Sequence, residues 1–238
     1  MSIPKQAFFV YGEHHTNPMP DQGLANIEDF KRLNPGWNVQ LITVENSDPQ
    51  YLDIFHWSKV AWSEVIRFDL MAKFGGLYSD IDVAQYGSLP DLNGSEMVIA
   101  IETHRHATDA FFASVPGHPV MVASRDQALE WCRTKMKDGS GYASGELLDG
   151  ASCGMFSRVV RDLTKFDLAY QKQVHMDRKD FNGMFHPENG VGILPFEAMC
   201  RHSQHNWVGW HQCWGSWRPR HDDGTVDMGM EAVVEVNP

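Results

Sequence analysis

Asp80 and Asp82 stand one residue apart, after an amphipathic run, the pair Gly75-Gly76 and a short β-prone segment from Leu77 to Ser79. Side chains of extended chain repeat with a period of two, so two such carboxylates can point the same way. A pair so placed suits a hard divalent cation, with coordination positions left for the phosphates of a ligand. An isolated Asp-x-Asp also describes a solvated polar turn. Here the order helix, Gly-Gly, strand favours the cation site. One carboxylate would bind the ion, and its partner would hold the ion's shell or a ribose hydroxyl. The ion would take up negative charge on a departing diphosphate.

Glu64 and Arg67 are three residues apart and therefore neighbours on one helix face. A surface ion pair would contribute little. Their helix, however, feeds directly into the aspartates, which favours an arginine forked onto phosphate or sugar oxygens and a carboxylate accepting from sugar hydroxyls. Towards the C-terminus, His205 to Arg220 gathers four tryptophans and two histidines. Aromatic faces of this kind suit sugar C–H surfaces and nucleobases. His211 is a candidate third metal ligand beside the carboxylates, or an ordinary structural histidine. Glu146 and Asp149 are candidate acceptor contacts. No phosphate-cradling Gly-x-x-x-x-Gly-Lys, no Gly-x-Gly-x-x-Gly after a strand and no Gly-x-Ser-x-Gly elbow occurs.

The elements around these residues follow from pattern. Ala7 to Tyr11 is a continuous apolar run, as in a buried strand. Asp21 is the expected cap of a helix to about Leu33, which Asn34-Pro35-Gly36 stops. Val39 to Val44 reads as a second strand, making a βαβ unit and hence a parallel sheet. Ser58 to Phe74 is the clearest helix, and Gly75 ends it. Met97 to Ile101 and Ala110 to Ala113 read as strands, Pro119 to Lys137 as a helix, and Gly139 to Gly150 as a glycine-rich loop. Phe156 to Leu163 reads as a helix and Val191 to Leu194 as a late strand. The last forty residues are loop-like.

With 42% apolar and 21% charged residues, the chain has the composition of one sizeable globular α/β domain. Its net charge of −11 argues against a nucleic-acid polymer or an anionic membrane as partner. Neither a Cys-x-x-Cys pair nor a disulfide framework appears among the cysteines, so reduced thiols are expected. The N-terminal apolar run is too short for a signal peptide, and no run approaches a membrane span. A cytoplasmic protein is the expectation.

The chain resembles the family 32 glycosyltransferases and, more distantly, the glucosylating domains of large bacterial toxins. Members show Ala-Ser-Asp-hydrophobic-hydrophobic-Arg, then Gly-Gly-hydrophobic-Tyr-x-Asp-x-Asp. Here Trp62-Ser63-Glu64-Val65-Ile66-Arg67 and Gly75-Gly76-Leu77-Tyr78-Ser79-Asp80-Ile81-Asp82 stand at matching spacing. Ile3-Pro4-Lys5, Asn34-Pro35-Gly36-Trp37, Pro116-Gly117-His118-Pro119 and the stretch His211 to Trp217 also look like family elements. The resemblance implies a GT-A fold: a single domain, 1–238, with a Rossmann-like, mainly parallel sheet flanked by helices and an irregular C-terminal segment. Residues 1–103 would form the nucleotide-sugar half and 104–238 the acceptor half.

It further implies a UDP- or GDP-sugar donor, Mn2+ (or Mg2+), a glycan or other hydroxyl acceptor, and retention of anomeric configuration. Asp82 would ligate the metal, and Asp80 would touch ribose or the metal shell. Arg67 and Glu64 would hold the donor sugar, and Tyr11 would stack on the base. Ser216 and Trp217 would close over the diphosphate. Glu64 replaces the family's usual aspartate and is one methylene longer. Without the membrane anchor of Golgi-resident relatives, the chain looks like a bacterial or viral-type cytosolic enzyme.

Two rivals use the same residues. A haloacid-dehalogenase-type phosphatase also places Asp-x-Asp after a strand, with Asp222-Asp223 as a late acidic motif. Against it, 79 residues precede the pair here and Tyr78-Ser79 are polar. A non-catalytic sugar-binding module would use the tryptophan-rich tail without the aspartates.

Overall fold

The computed structural model describes residues 2–12, 19–92, 94–103, 106–139, 141–165, 190–194, 209–211 and 233–234. The N-terminal apolar run forms β1 (Gln6–Val10), and α1 (Asp21–Leu33) returns the chain to β2 (Asn38–Ile42). β1 and β2 pair in parallel, from Gln6↔Asn38 to Val10↔Ile42, so the expected βαβ unit is present. Thr43 and Val44 lie beyond β2. Asp21 is the first residue of α1 and not its cap; Pro20 holds the cap position with extended backbone.

A short 3-10 turn (Pro49–Tyr51) leads into α2 (Leu52–Trp57) and α3 (Lys59–Phe74). The break between the two helices is Ser58. Its backbone is extended, and its hydroxyl accepts from the Ala61 amide. α3 is buried on nearly every side, through Ala61, Trp62, Val65, Ile66, Phe68, Met71 and Ala72. Such a helix belongs to an interior, and a polar residue on it needs a partner there.

Gly75 and Gly76 then turn the chain into β3 (Gly76–Ser79) with φ of 61° and 101°. A Cβ on Gly76 would sit 2.5 Å from the Gln6 carbonyl oxygen, so β1 and β3 could not stay paired. β4 (Val83–Gln85), β5 (Met97–Thr103), β6 (His106–Ser114) and α4 (Pro119–Asp138) follow. His118 caps α4, its Nδ1 accepting from the Val120 amide at 3.3 Å. The expected loop Gly139 to Gly150 instead contains β7 (Tyr142–Ala143) and α5 (Ser144–Gly150). α6 (Cys153–Thr164), β8 (Val191–Leu194), β9 (Gly209–His211) and β10 (Val233–Val234) complete the described elements. The rest of the C-terminal segment lies outside the described residues.

The main sheet runs β2-β1-β3-β6-β5-β8. β6 is antiparallel to both neighbours, whereas the other pairings are parallel, so the sheet is mainly parallel as expected. Alternation splits it into two cores. Phe8, Tyr78 and Phe112 face α3, α4 and α6, and Phe9, Leu77 and Phe111 face α1. Phe68, Phe112 and Phe156 pack with ring centroids 5.2–5.6 Å apart on the first face.

Candidate donor-sugar site

The two aspartates leave β3 on a turn, not on extended chain. The Asp80 carbonyl accepts from the Val83 amide at 3.2 Å, and the Asp80 amide donates to Ala110 of β6 at 2.8 Å. The period-two expectation therefore does not describe them; they sit on a reverse turn instead.

Behind this turn, α3 presents Arg67, which is 5% exposed. Its guanidinium lies over the Tyr78 ring, with Cζ 5.0 Å from the centroid. Nη1 donates to the Asp109 carbonyl at 2.9 Å and Nη2 to Glu64 Oε1 at 3.1 Å. Asp80 Oδ1 and Asp109 Oδ2 each stand 3.6 Å from it. The Tyr78 hydroxyl donates to Asp80 Oδ1 at 2.5 Å, and the Ser152 hydroxyl to Asp109 Oδ2 at 2.6 Å. One cation thus gathers three carboxylates in a nearly dry interior. The surface-pair reading of Glu64 and Arg67 is excluded by their burial.

The balance of charge sets the direction in which each pKa moves. Burial holds the Glu64 carboxyl well above its usual range; Arg67 opposes this, and Asp109 and Asp80 add to it. Burial alone would lower the Arg67 pKa, yet Asp80 and Glu64 keep it raised. Burial and the neighbouring Asp80 raise the Tyr78 phenol, against Arg67. Glu64 Oε2 is buried, and a side-chain hydrogen bond between Glu64 and Asp109 adds to the rise of the Glu64 pKa.

Asp109 and Ser152 were not singled out from sequence. The only local sign of Asp109 is an acid inside the apolar run of β6, and Ser152 reaches it across 43 positions. Residues from both expected halves of the chain therefore meet at Arg67.

The other expected residues fall as follows. Tyr11 is half-buried just past β1, and its amide donates to Ile42 at 2.9 Å. Gly12 abuts Lys59 at the start of α3, a half-buried cation. His211 lies on β9 directly across from Val83, the residue after Asp82. Glu146 is exposed, pairs with Lys135 at 2.5 Å and accepts from the Ala143 amide at 2.9 Å. That bond to Lys135 lowers its pKa. Asp149 is exposed and pairs with Arg158 at 3.7 Å. Ser216, Trp217 and Asp222-Asp223 lie outside the described residues, as do His14-His15.

Residues 20–99 match the family model of the glycosyltransferase sugar-binding region containing a DXD motif. That span runs from the start of α1 into β5 and includes Glu64, Arg67, Asp80 and Asp82. Over that span, about a third of the chain, the sequence is similar to the sugar-binding region of DXD-type glycosyltransferases. In fold it is similar to the PaToxG glycosyltransferase, with a TM-score of 0.52 and 14% identity over 75% of this chain and 72% of that one. A transferase bearing two cysteine-to-serine mutations matches at a TM-score of 0.39 and 12% identity, over 64% of this chain and 93% of that one. The mainly parallel sheet flanked by helices is therefore a glycosyltransferase-like α/β fold.

The donor chemistry of the turn fits a divalent cation. Asp80 and Asp82 offer hard oxygen ligands on one reverse turn, and both are partly accessible. Among the described residues no group of three or more potential metal ligands forms. Among the described residues no helix is long and apolar enough to cross a membrane.

Proposed function

We propose that this chain is a retaining, family 32-type glycosyltransferase that moves a sugar from a UDP- or GDP-sugar to a glycan or other hydroxyl acceptor. The observation that carries this reading is the buried Arg67 group, Glu64, Asp80 and Asp109, set directly behind the aspartate turn. Such a group is costly to bury and contributes little stability for that cost, which points to a ligand as its purpose.

Asp82 would hold Mn2+ (or Mg2+) directly, with Asp80 in support and His211 as a further ligand from β9. When bound, the cation neutralises charge that develops on the leaving diphosphate. Arg67 adds a fixed positive charge to the same region, and preorganised charge of this kind is the main source of transition-state stabilisation. The Glu64 carboxyl and the Asp109 carboxylate hydrogen-bond with hydroxyls of the transferred sugar. The base stacks on Tyr11; Ser216 and Trp217, expected at the diphosphate, lie outside the described residues. Glu146 and Asp149 on α5 contribute to the acceptor side. No general base is assigned, because front-face retention can use the leaving phosphate itself to take the acceptor proton.

A thermal-shift screen of UDP- and GDP-sugars, with and without Mn2+, tests the donor class. A ligand that binds only the folded form raises Tm. The expected result is a metal-dependent rise with one base, followed by release of the matching nucleoside diphosphate on incubation. Flat melting curves across the panel, with no diphosphate released, would refute the reading.

A further inference from the structure

Ile81, between the two aspartates, is held from the opposite face of the sheet. Asn26 of α1 is 2% exposed, and its Nδ2 donates to the Ile81 carbonyl at 2.8 Å. The orientation of that amide is fixed in turn, because Asn26 Oδ1 accepts from Gln22 Nε2 at 3.0 Å. Beside it, Gly23 lets the helix come close: a Cβ there would stand 3.2 Å from Ile81 Cδ1. At the far end of α1, Asn34 Nδ2 donates to Gln85 Oε1 at 3.0 Å, and Asn34 Oδ1 accepts from the Leu89 amide at 2.8 Å. The helix thus grips the turn and the strand that follows it.

We infer that α1 is a clamp on the aspartate turn and that Asn26 is a positioning residue acting through Asp82. The peptide unit is planar, so fixing the Ile81 carbonyl fixes the Asp82 amide and Cα in the same plane. With the turn bond from the Val83 amide to the Asp80 carbonyl restraining the Asp82 backbone as well, that plane sets where the Asp82 side chain leaves the chain. The Asp80 side of the turn is anchored separately by Ala110 and Tyr78, so Asn26 governs the half that carries Asp82. Without its amide donor the buried Ile81 carbonyl loses this partner, and the peptide plane can rotate.

The test has two arms, and only the second rests on the metal reading above. Amide hydrogen exchange of the segment 80–83 is compared between wild type, Asn26→Leu and the milder Asn26→Ala. Mn2+ is then titrated in the presence of UDP and, separately, GDP. Ile27→Val, a core change on the same helix, serves as the control for general loss of stability. The clamp predicts exchange in 80–83 faster by about ten-fold or more in the Asn26 variants, and Mn2+ binding weaker by about ten-fold. Ile27→Val leaves both near wild type. Unchanged exchange in the turn overturns the clamp whatever the metal does. Faster exchange with unaltered Mn2+ affinity overturns the link to Asp82. Should wild type bind no Mn2+ with either nucleotide, the transferase reading falls, and the exchange arm alone decides the clamp.

Discussion

Arg67 balances three carboxylates, and its two nearest partners are not equivalent. Glu64 lies on the same helix and is fully shut in, whereas Asp80 stands at the mouth with a quarter of its side chain exposed. Arg67→Met would leave these acids without their counter-charge, at a cost of roughly 3–5 kcal/mol. Arg67→Lys keeps the charge but not the fork that reaches Glu64 and Asp109 together, so an intermediate loss is expected. Urea unfolding of the three proteins should rank them wild type, Lys, Met. Glu64 gives a second, pH-dependent prediction. Its folded pKa lies well above the ordinary 4.5, so the folded state binds the extra proton. Stability from that proton is complete below pH 4.5 and is lost as pH rises through the folded value. Glu64→Gln has no such proton to lose. The difference in Tm, variant minus wild type, should therefore grow as pH rises from 4.5. A difference that shrinks over that range would contradict the buried-acid reading.

Elements position these side chains through a few breaks in the chain. The sequence pattern starts the helix that carries Arg67 at Ser58, and in the structure Ser58 divides α2 from α3 and starts α3 in the direction that brings Arg67 over Tyr78. Its hydroxyl also meets Tyr142 across 84 positions at 2.5 Å, tying α3 to β7. Ser58→Ala removes the cap and leaves the buried Tyr142 hydroxyl without this partner, so a loss of about 2 kcal/mol is expected in thermal or urea unfolding. A loss below a few tenths would show that the break is set by packing alone. α1, β1 and β3 were legible from sequence because α1 lays one apolar face on one core, while β1 and β3 are short apolar runs buried on both faces of the sheet. The ladder β4–β9 and the elements β7 and α5 were not. Their residues are few, glycine-rich or polar, and they are held by partners far along the chain.

At the scale of the whole molecule, the site was half legible. Glu64, Arg67, Asp80 and Asp82 are close in sequence, so spacing alone suggested them. Asp109 reaches the same guanidinium, and Ser152 reaches Asp109, only because β6 runs antiparallel beside β3 and the link from α5 to α6 folds over it. No local pattern encodes that meeting. The turn geometry of Asp80–Asp82 was also hidden, because it depends on Ala110 and Asn26. A net charge of −11 bears on binding as well. The protein's field opposes an anionic ligand, so on the proposed reading Arg67, Lys59 and a cation would supply attraction locally, and salt, by screening the long-range repulsion, should speed the encounter. The most direct measurement is calorimetric titration of UDP and GDP into wild type and Asp82→Ala, each with and without Mn2+. One nucleotide should bind wild type about ten-fold or more tightly with Mn2+, and Asp82→Ala should lose that gain. Equal affinity with and without the ion, or a gain that survives in Asp82→Ala, would contradict a diphosphate held through metal at this turn.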